Sequence, residues 1–145
     1  MRTHSGLSTT PGRSSVPEIL VLDASAVVEV LAGTELSSAV SYRIAGAVWY
    51  GPAHLDAEVL SALGRLARAG QLSDEAVAAG LAALARMPLT RAPLAPLLSG
   101  AWERREELRL VEAIYVELAT TMSVALVTTD LRLARAAPVA EAITP

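Results

Sequence analysis

Two aspartates stand at the ends of apolar runs. Ile19-Leu20-Val21-Leu22 leads into Asp23, and Val124-Ala125-Leu126-Val127 leads through Thr128 and Thr129 into Asp130. A short apolar run bounded by polar residues reads as a buried strand, and open α/β sheets bind ligands beyond the carboxyl ends of their strands. If these two strands are neighbours, their carboxylates repel one another in a partly dry cleft unless a cation or a shared proton offsets the charge. Oxygen-only donors suit Mg2+ or Mn2+ rather than zinc or copper. Such an ion can orient a water, lower its pKa and neutralise charge building on a phosphodiester. Thr128 and Thr129 add hydroxyls before Asp130, and Ser25 follows Asp23; all three are candidates to support a ligand carboxylate by hydrogen bonding.

Each aspartate also has a purely structural explanation, as the N-cap of the helix that follows it. The remaining acids are ranked only weakly by pattern. Glu58 lies mid-helix among Leu55, Val59 and Leu63, with His54 and Asp56 as nearby rivals. Glu112 begins Glu112-Ala113-Ile114-Tyr115 and shares a helical face with Tyr115 and Val116, whereas Glu117 does not. Glu103, Glu106 and Glu107 form a wetted charge run. His54 reads as a helix-start residue, because the only other histidine is His4. Tyr115 and Trp102 read as packing residues. Three or four carboxylates gathered in one place are consistent with phosphoryl hydrolysis.

The composition narrows the chemistry further. All 12 basic residues are arginine, cysteine is absent, and the net charge is −3. Disulfides and thiolate chemistry are excluded, and a protein that coats nucleic acid is disfavoured. Arg104, Arg105 and Arg109, with Arg132 and Arg135, nevertheless form clusters able to attract phosphate at a local rim. No apolar run approaches the ~18 residues a membrane span needs, so a soluble, cytoplasmic protein is expected. Residues 1–17 are rich in Ser, Thr, Gly and Pro and read as a loose tail, leaving 18–145 as one domain.

Strands are expected at 19–22, 47–50, 89–92, 124–127 and 139–143, the third and last at sheet edges. Helices are expected at 24–32, 35–45, 53–69, 73–86, 94–107, 109–121 and 131–136. Gly33 stops the first, Gly51-Pro52 turns the chain into the third, and Ser73 caps the fourth. Strands alternating with helices predict a three-layer α/β/α sandwich around a mostly parallel sheet.

Four segments carry a family resemblance: Val21-Leu22-Asp23-Ala24-Ser25; Asp56-Ala57-Glu58-Val59-Leu60-Ser61-Ala62-Leu63; Val111-Glu112-Ala113-Ile114-Tyr115-Val116-Glu117-Leu118-Ala119; and Leu126-Val127-Thr128-Thr129-Asp130-Leu131-Arg132-Leu133-Ala134. In order and spacing they resemble the PIN domain, specifically the VapC-type toxins of bacterial toxin–antitoxin pairs. The resemblance implies a Mg2+- or Mn2+-dependent endoribonuclease with Asp23, Glu58, Glu112 and Asp130 as its catalytic and metal-holding acids. Glu112 departs from the family, which usually has aspartate there. The resemblance further implies a homodimer silenced by a cognate VapB-type antitoxin, with RNA as substrate and DNA binding left to the antitoxin. A groove for that partner is expected between the early helices, from Val27, Val30, Leu31, Leu36 and Val40.

Two other phosphoryl-transfer folds fit poorly. An aspartate-nucleophile phosphatase wants a second aspartate where Ser25 stands, and a receiver domain wants an acidic pair and a later lysine. The stronger alternative is a catalytically weak or inactive PIN-fold protein that binds RNA or antitoxin, for which Glu112 is the sequence support.

Overall fold

The computed structural model describes residues 16–145. The tail expected over 1–17 lies outside the described residues except for Val16 and Pro17. Five strands, β1 (Ile19–Leu22), β2 (Val48–Pro52), β3 (Leu89–Ala92), β4 (Ala125–Thr128) and β5 (Ala140–Ala142), form one sheet in the order β3-β2-β1-β4-β5. Every neighbouring pair is parallel. The mostly parallel sheet expected from the alternation is wholly parallel, with β3 and β5 at its edges.

Seven helices connect the strands: α1 (Ala24–Ala32), α2 (Ser37–Ile44), α3 (Leu55–Arg68), α4 (Asp74–Arg86), α5 (Leu98–Glu103), α6 (Leu110–Met122) and α7 (Leu131–Ala136). The chain steps outward from β1 to β2 and β3, then crosses back to β4 and outward to β5. Right-handed crossovers in opposite directions place α1–α4 on one face and α5–α7 on the other. α1 accordingly packs against α2, α3 and α4, while α6 lies across β1, β2 and β4.

Local chemistry explains most boundaries. In β1, Leu20, Val21 and Leu22 are all buried, as a strand covered on both faces requires. Leu55, Val59 and Leu63 form the buried stripe of α3, and α6 buries Ala113 through Val116 with Leu118 and Ala119. Gly33 ends α1 in the left-handed conformation (φ 65°). Ser73 caps α4 as expected, accepting a hydrogen bond from the Ala76 N–H at 3.1 Å.

Three expectations change. Gly51 and Pro52 do not turn the chain; they extend β2. The last β1–β2 partners are Val21 and Tyr50, so the N–H that Pro52 lacks falls beyond the end of β1. A Cβ on Gly51 would meet Leu55 Cδ1 at 2.8 Å, so this glycine permits the close approach of α3. The helix expected over 94–107 is a 3-10 turn at Ala95–Leu97 followed by α5, which ends at Glu103; the acidic run beyond it forms turns. In the groove expected between the early helices, Val27 and Val40 are core residues, whereas Val30, Leu31 and Leu36 are only partly buried.

Candidate active site

β1 is the switch point of the sheet, because the chain leaves it toward β2 yet returns to β4 on its other side. Leu22 pairs with Val127, and the Asp23 N–H reaches the Val127 carbonyl at 2.9 Å. Asp23 and the Thr128–Asp130 segment are thereby fixed side by side. The cleft beyond these strand ends has a volume of about 370 Å³ and is lined by Asp23, Glu58, Glu112 and Asp130, together with Ser25 and Thr129. Acids from β1, α3, α6 and the β4–α7 junction thus share one pocket.

Asp23 occupies the N-cap position of α1, but its side chain makes no capping bond. Its Oδ2 instead accepts hydrogen bonds from Ser25 Oγ at 2.6 Å and Thr128 Oγ1 at 2.8 Å. Both hydroxyls are oriented by the β4–α7 turn: the Thr129 N–H donates to Ser25 Oγ, and the Asp130 N–H donates to Thr128 Oγ1, each at 3.0 Å. Burial pushes the Asp23 carboxyl above the usual aspartate range; the two hydroxyls oppose that shift, and the charges of Glu58 and Asp130 add to it.

Asp130 does serve as a cap. Its Oδ1 accepts from the N–H groups of Arg132 (2.9 Å) and Leu133 (3.2 Å). Glu58 is held by residues that pattern alone had assigned elsewhere. Tyr115 is buried as expected, yet its hydroxyl donates to Glu58 Oε1 at 2.7 Å. His54 Nε2 lies 3.1 Å from the same oxygen and its ring stands edge-on to Tyr115. Burial disfavours the Glu58 charge, but hydrogen bonds from His54 and Tyr115, with the positive field of His54 and Arg65, outweigh it and hold the carboxyl below its usual range. The signals available were spacing: His54 is four residues before Glu58, and Tyr115 three after Glu112.

Glu112 pairs through Oε1 with the Arg132 guanidinium, which also lies 3.5 Å from Asp130 Oδ2. Its other oxygen, Oε2, is buried without a hydrogen-bond partner. One arrangement recurs at three of the acids. In Asp23, Glu58 and Glu112, one oxygen is engaged by protein donors and the other makes no direct hydrogen bond to protein among the described residues, whereas at Asp130 the second oxygen faces the Arg132 guanidinium at 3.5 Å. Carboxylate oxygens gathered at one cleft are the donor chemistry that Mg2+ or Mn2+ takes. Among the described residues, no three acidic, histidine or cysteine side chains stand close enough together to form a closed metal site. The donor set is oxygen-only, as the ion requires, and the four acids line the cleft without closing on one point.

The rival acids are accounted for elsewhere. Asp56 takes Arg91 through both oxygens, and Glu117 takes Arg104. Within the arginine clusters, Arg104 and Arg132 are paired with acids and Arg105 lies over the Trp102 ring, 4.6 Å from its centre. Trp102 is 55% exposed and is not the packing residue it seemed.

A family model for the PIN domain matches residues 20–138. Ribonuclease VapC3 of Mycobacterium tuberculosis is 55% identical over 131 residues, covering 90% of this chain and 96% of the relative. Ribonuclease VapC1 of the same organism is 39% identical over 118 residues, covering 80% and 89%. Among solved structures, PAE2754 of Pyrobaculum aerophilum is similar with a TM-score of 0.63 and 26% identity, over 88% of this chain and 84% of that one. VapC20 of Mycobacterium tuberculosis, described as a sarcin–ricin loop cleaving toxin, has a TM-score of 0.61 at 18% identity, over 81% and 94%, which is a likeness of fold. With the acids of all four motifs gathered at one cleft, and relatives of this identity matched over nearly their full length, the chain belongs to the PIN-domain family and, within it, to the VapC-type ribonuclease toxins.

Proposed function

We propose that this chain is a Mg2+- or Mn2+-dependent endoribonuclease whose ion is held by Asp23, Glu58, Glu112 and Asp130. The observation that carries the reading is the shared cleft that these four acids line, with Glu112 Oε2 left without a protein partner. A divalent ion bound there supplies charge neutralisation at the scissile phosphodiester and a water of lowered pKa.

The chain's own residues supply the positioning. Ser25 and Thr128 lock the Asp23 carboxylate from behind, and the turn amides lock those hydroxyls in turn. Tyr115 and His54 hold Glu58 by one oxygen, so the α3 carboxylate keeps its second oxygen toward the cleft. Arg132 balances the charge of Glu112 and Asp130 from the side. Partners such as these, which orient ligating carboxylates, alter metal affinity or activity by roughly 10–100-fold when removed.

Membership among VapC-type toxins supports two further parts of the proposal: inhibition by a cognate VapB-type antitoxin, and homodimer formation. A cytoplasmic setting follows from an RNA substrate. No helix among the described residues is long and apolar enough to cross a membrane. The second reading, an RNA- or antitoxin-binding protein with little or no cleavage, is favoured by one observation: Arg132 already occupies Glu112.

Cleavage of a structured RNA by the purified chain tests the proposal. EDTA should abolish cleavage, and excess Mg2+ or Mn2+ should restore it. Cleavage that persists unchanged in EDTA contradicts the metal-dependent mechanism.

A further inference from the structure

We propose that Arg65 grips the RNA phosphate next to the one being cleaved, an assignment that rests on the ribonuclease reading above. Arg65 is the one basic residue among those lining the acidic cleft. It is exposed, and its side chain's hydrogen bond runs to Ser61 Oγ, one helical turn back, at 3.0 Å. Arg43, Arg91, Arg104 and Arg132 are all bound to carboxylates; among the described residues Arg65 forms no salt bridge, and it differs from the other arginines without one in lining the acidic cleft.

α3 sets the geometry. Glu58, Ala62 and Arg65 follow one another at helical spacings of four and three, so all three lie on the edge of α3 that borders the cleft. At about 1.5 Å of rise per residue, the backbone positions of Glu58 and Arg65 are roughly 10 Å apart along the helix axis, and the bond to Ser61 draws the guanidinium back by about one turn toward the acid. The small side chain of Ala62 leaves the path between them low. A strand approaching the five acids that line the cleft, Glu29 among them, is repelled by them, and a fixed cation at the rim sets its course. Arginine's planar fork binds a phosphate through paired hydrogen bonds and cannot lose its charge at physiological pH. An RNA strand running along α3 therefore presents one phosphate to the acids and a neighbouring phosphate to Arg65.

The test uses the full chain carrying Asp23→Asn, so that RNA survives, and a short fluorescein-labelled single-stranded RNA of mixed sequence in EDTA. Binding is measured over a salt series for this parent and with Arg65→Ala, Arg65→Lys or Arg86→Ala added. Arg86 is exposed at the end of α4 and does not line the cleft. Arg65→Ala should weaken binding about ten-fold at low salt and lower the slope of log K against log salt by ~0.7, the value of one phosphate contact on a single strand. Arg65→Lys should keep most of the slope, Arg86→Ala should change neither quantity, and melting temperatures should stay level across the set. With Asp23 intact, Arg65→Ala should raise KM and leave kcat nearly unchanged.

An unchanged affinity and slope for Arg65→Ala overturns the proposal. So does an equal loss in Arg86→Ala, which would mean diffuse attraction, and so does a parent that shows no salt-dependent binding. Arg65-dependent binding by a wild-type chain that cuts no RNA would uphold this contact and sink the ribonuclease reading instead.

Discussion

Asp23→Asn should reduce RNA cleavage by at least about 10³-fold, equivalent to ~4 kcal/mol of transition-state stabilisation, while leaving the fold intact. The reason lies in what the substitution keeps. An asparagine carbonyl can still accept the hydroxyls of Ser25 and Thr128, which reach Asp23 at 2.6 and 2.8 Å. The network behind the residue survives, and the charge facing the cleft disappears. Loss of activity with no loss of melting temperature separates chemistry from folding. Equal cleavage by variant and wild type would remove Asp23 from the mechanism.

The same pair of proteins carries a pH signature. Burial, with the charges of Glu58 and Asp130, raises the folded-state pKa of Asp23. Between the unfolded value, near ~3.9, and the raised one, the folded chain binds a proton that the unfolded chain has released. This group's contribution to stability is therefore full at low pH and is lost as pH climbs through the raised pKa. Asparagine escapes that loss. In EDTA, the melting temperature of Asp23→Asn minus that of wild type should grow as pH rises from ~4 toward neutrality, and it should shrink again when Mg2+ is added. A difference that stays flat with pH contradicts the electrostatic account of the cleft.

Glu112→Asp should lower cleavage by about 10²-fold, even though it restores the residue usual in the family. In this chain the longer side chain spans two environments. Oε1 meets Arg132, and Oε2 reaches a buried position with no protein partner. Removing one methylene withdraws both oxygens by more than an ångström, and a misplacement of about 1 Å at a reacting centre can cost 10²-fold. Steady-state cleavage rates across Mn2+ concentrations measure this, and the loss should appear partly as weaker metal dependence. A rise in activity would show instead that Glu112 is a defect, and would favour the reading of this chain as a weakened PIN protein.

The skeleton was legible in the sequence because its signals are local. Apolar runs ending in Asp23 and Asp130 named the central strands, and 3.6-residue periodicity named α3 and α6. Sheet order was not local, but right-handed crossovers between parallel strands leave few arrangements. The errors came where a residue's role depends on a distant partner. Gly51-Pro52 carries turn chemistry, yet α3 passes so close that the pair continues β2. Glu58 looked solvated on helical pattern, because the hydroxyl that holds it belongs to Tyr115, 57 residues away. Asp56 stood as a rival to Glu58, and Glu117 as a weaker rival to Glu112, until Arg91 and Arg104 accounted for them. Asp23 and Asp130 look alike in sequence, but only Asp130 caps its helix; Ser25 and Thr128 take Asp23 away from that role.

Anomalous diffraction from crystals of the full chain grown with Mn2+ tests the central claim most directly. A manganese peak is expected in the cleft beyond β1 and β4, within coordination distance of Asp23 and at least two of Glu58, Glu112 and Asp130. A cleft without manganese in a protein that cuts RNA under the same conditions, or a peak bound by other residues, would contradict it.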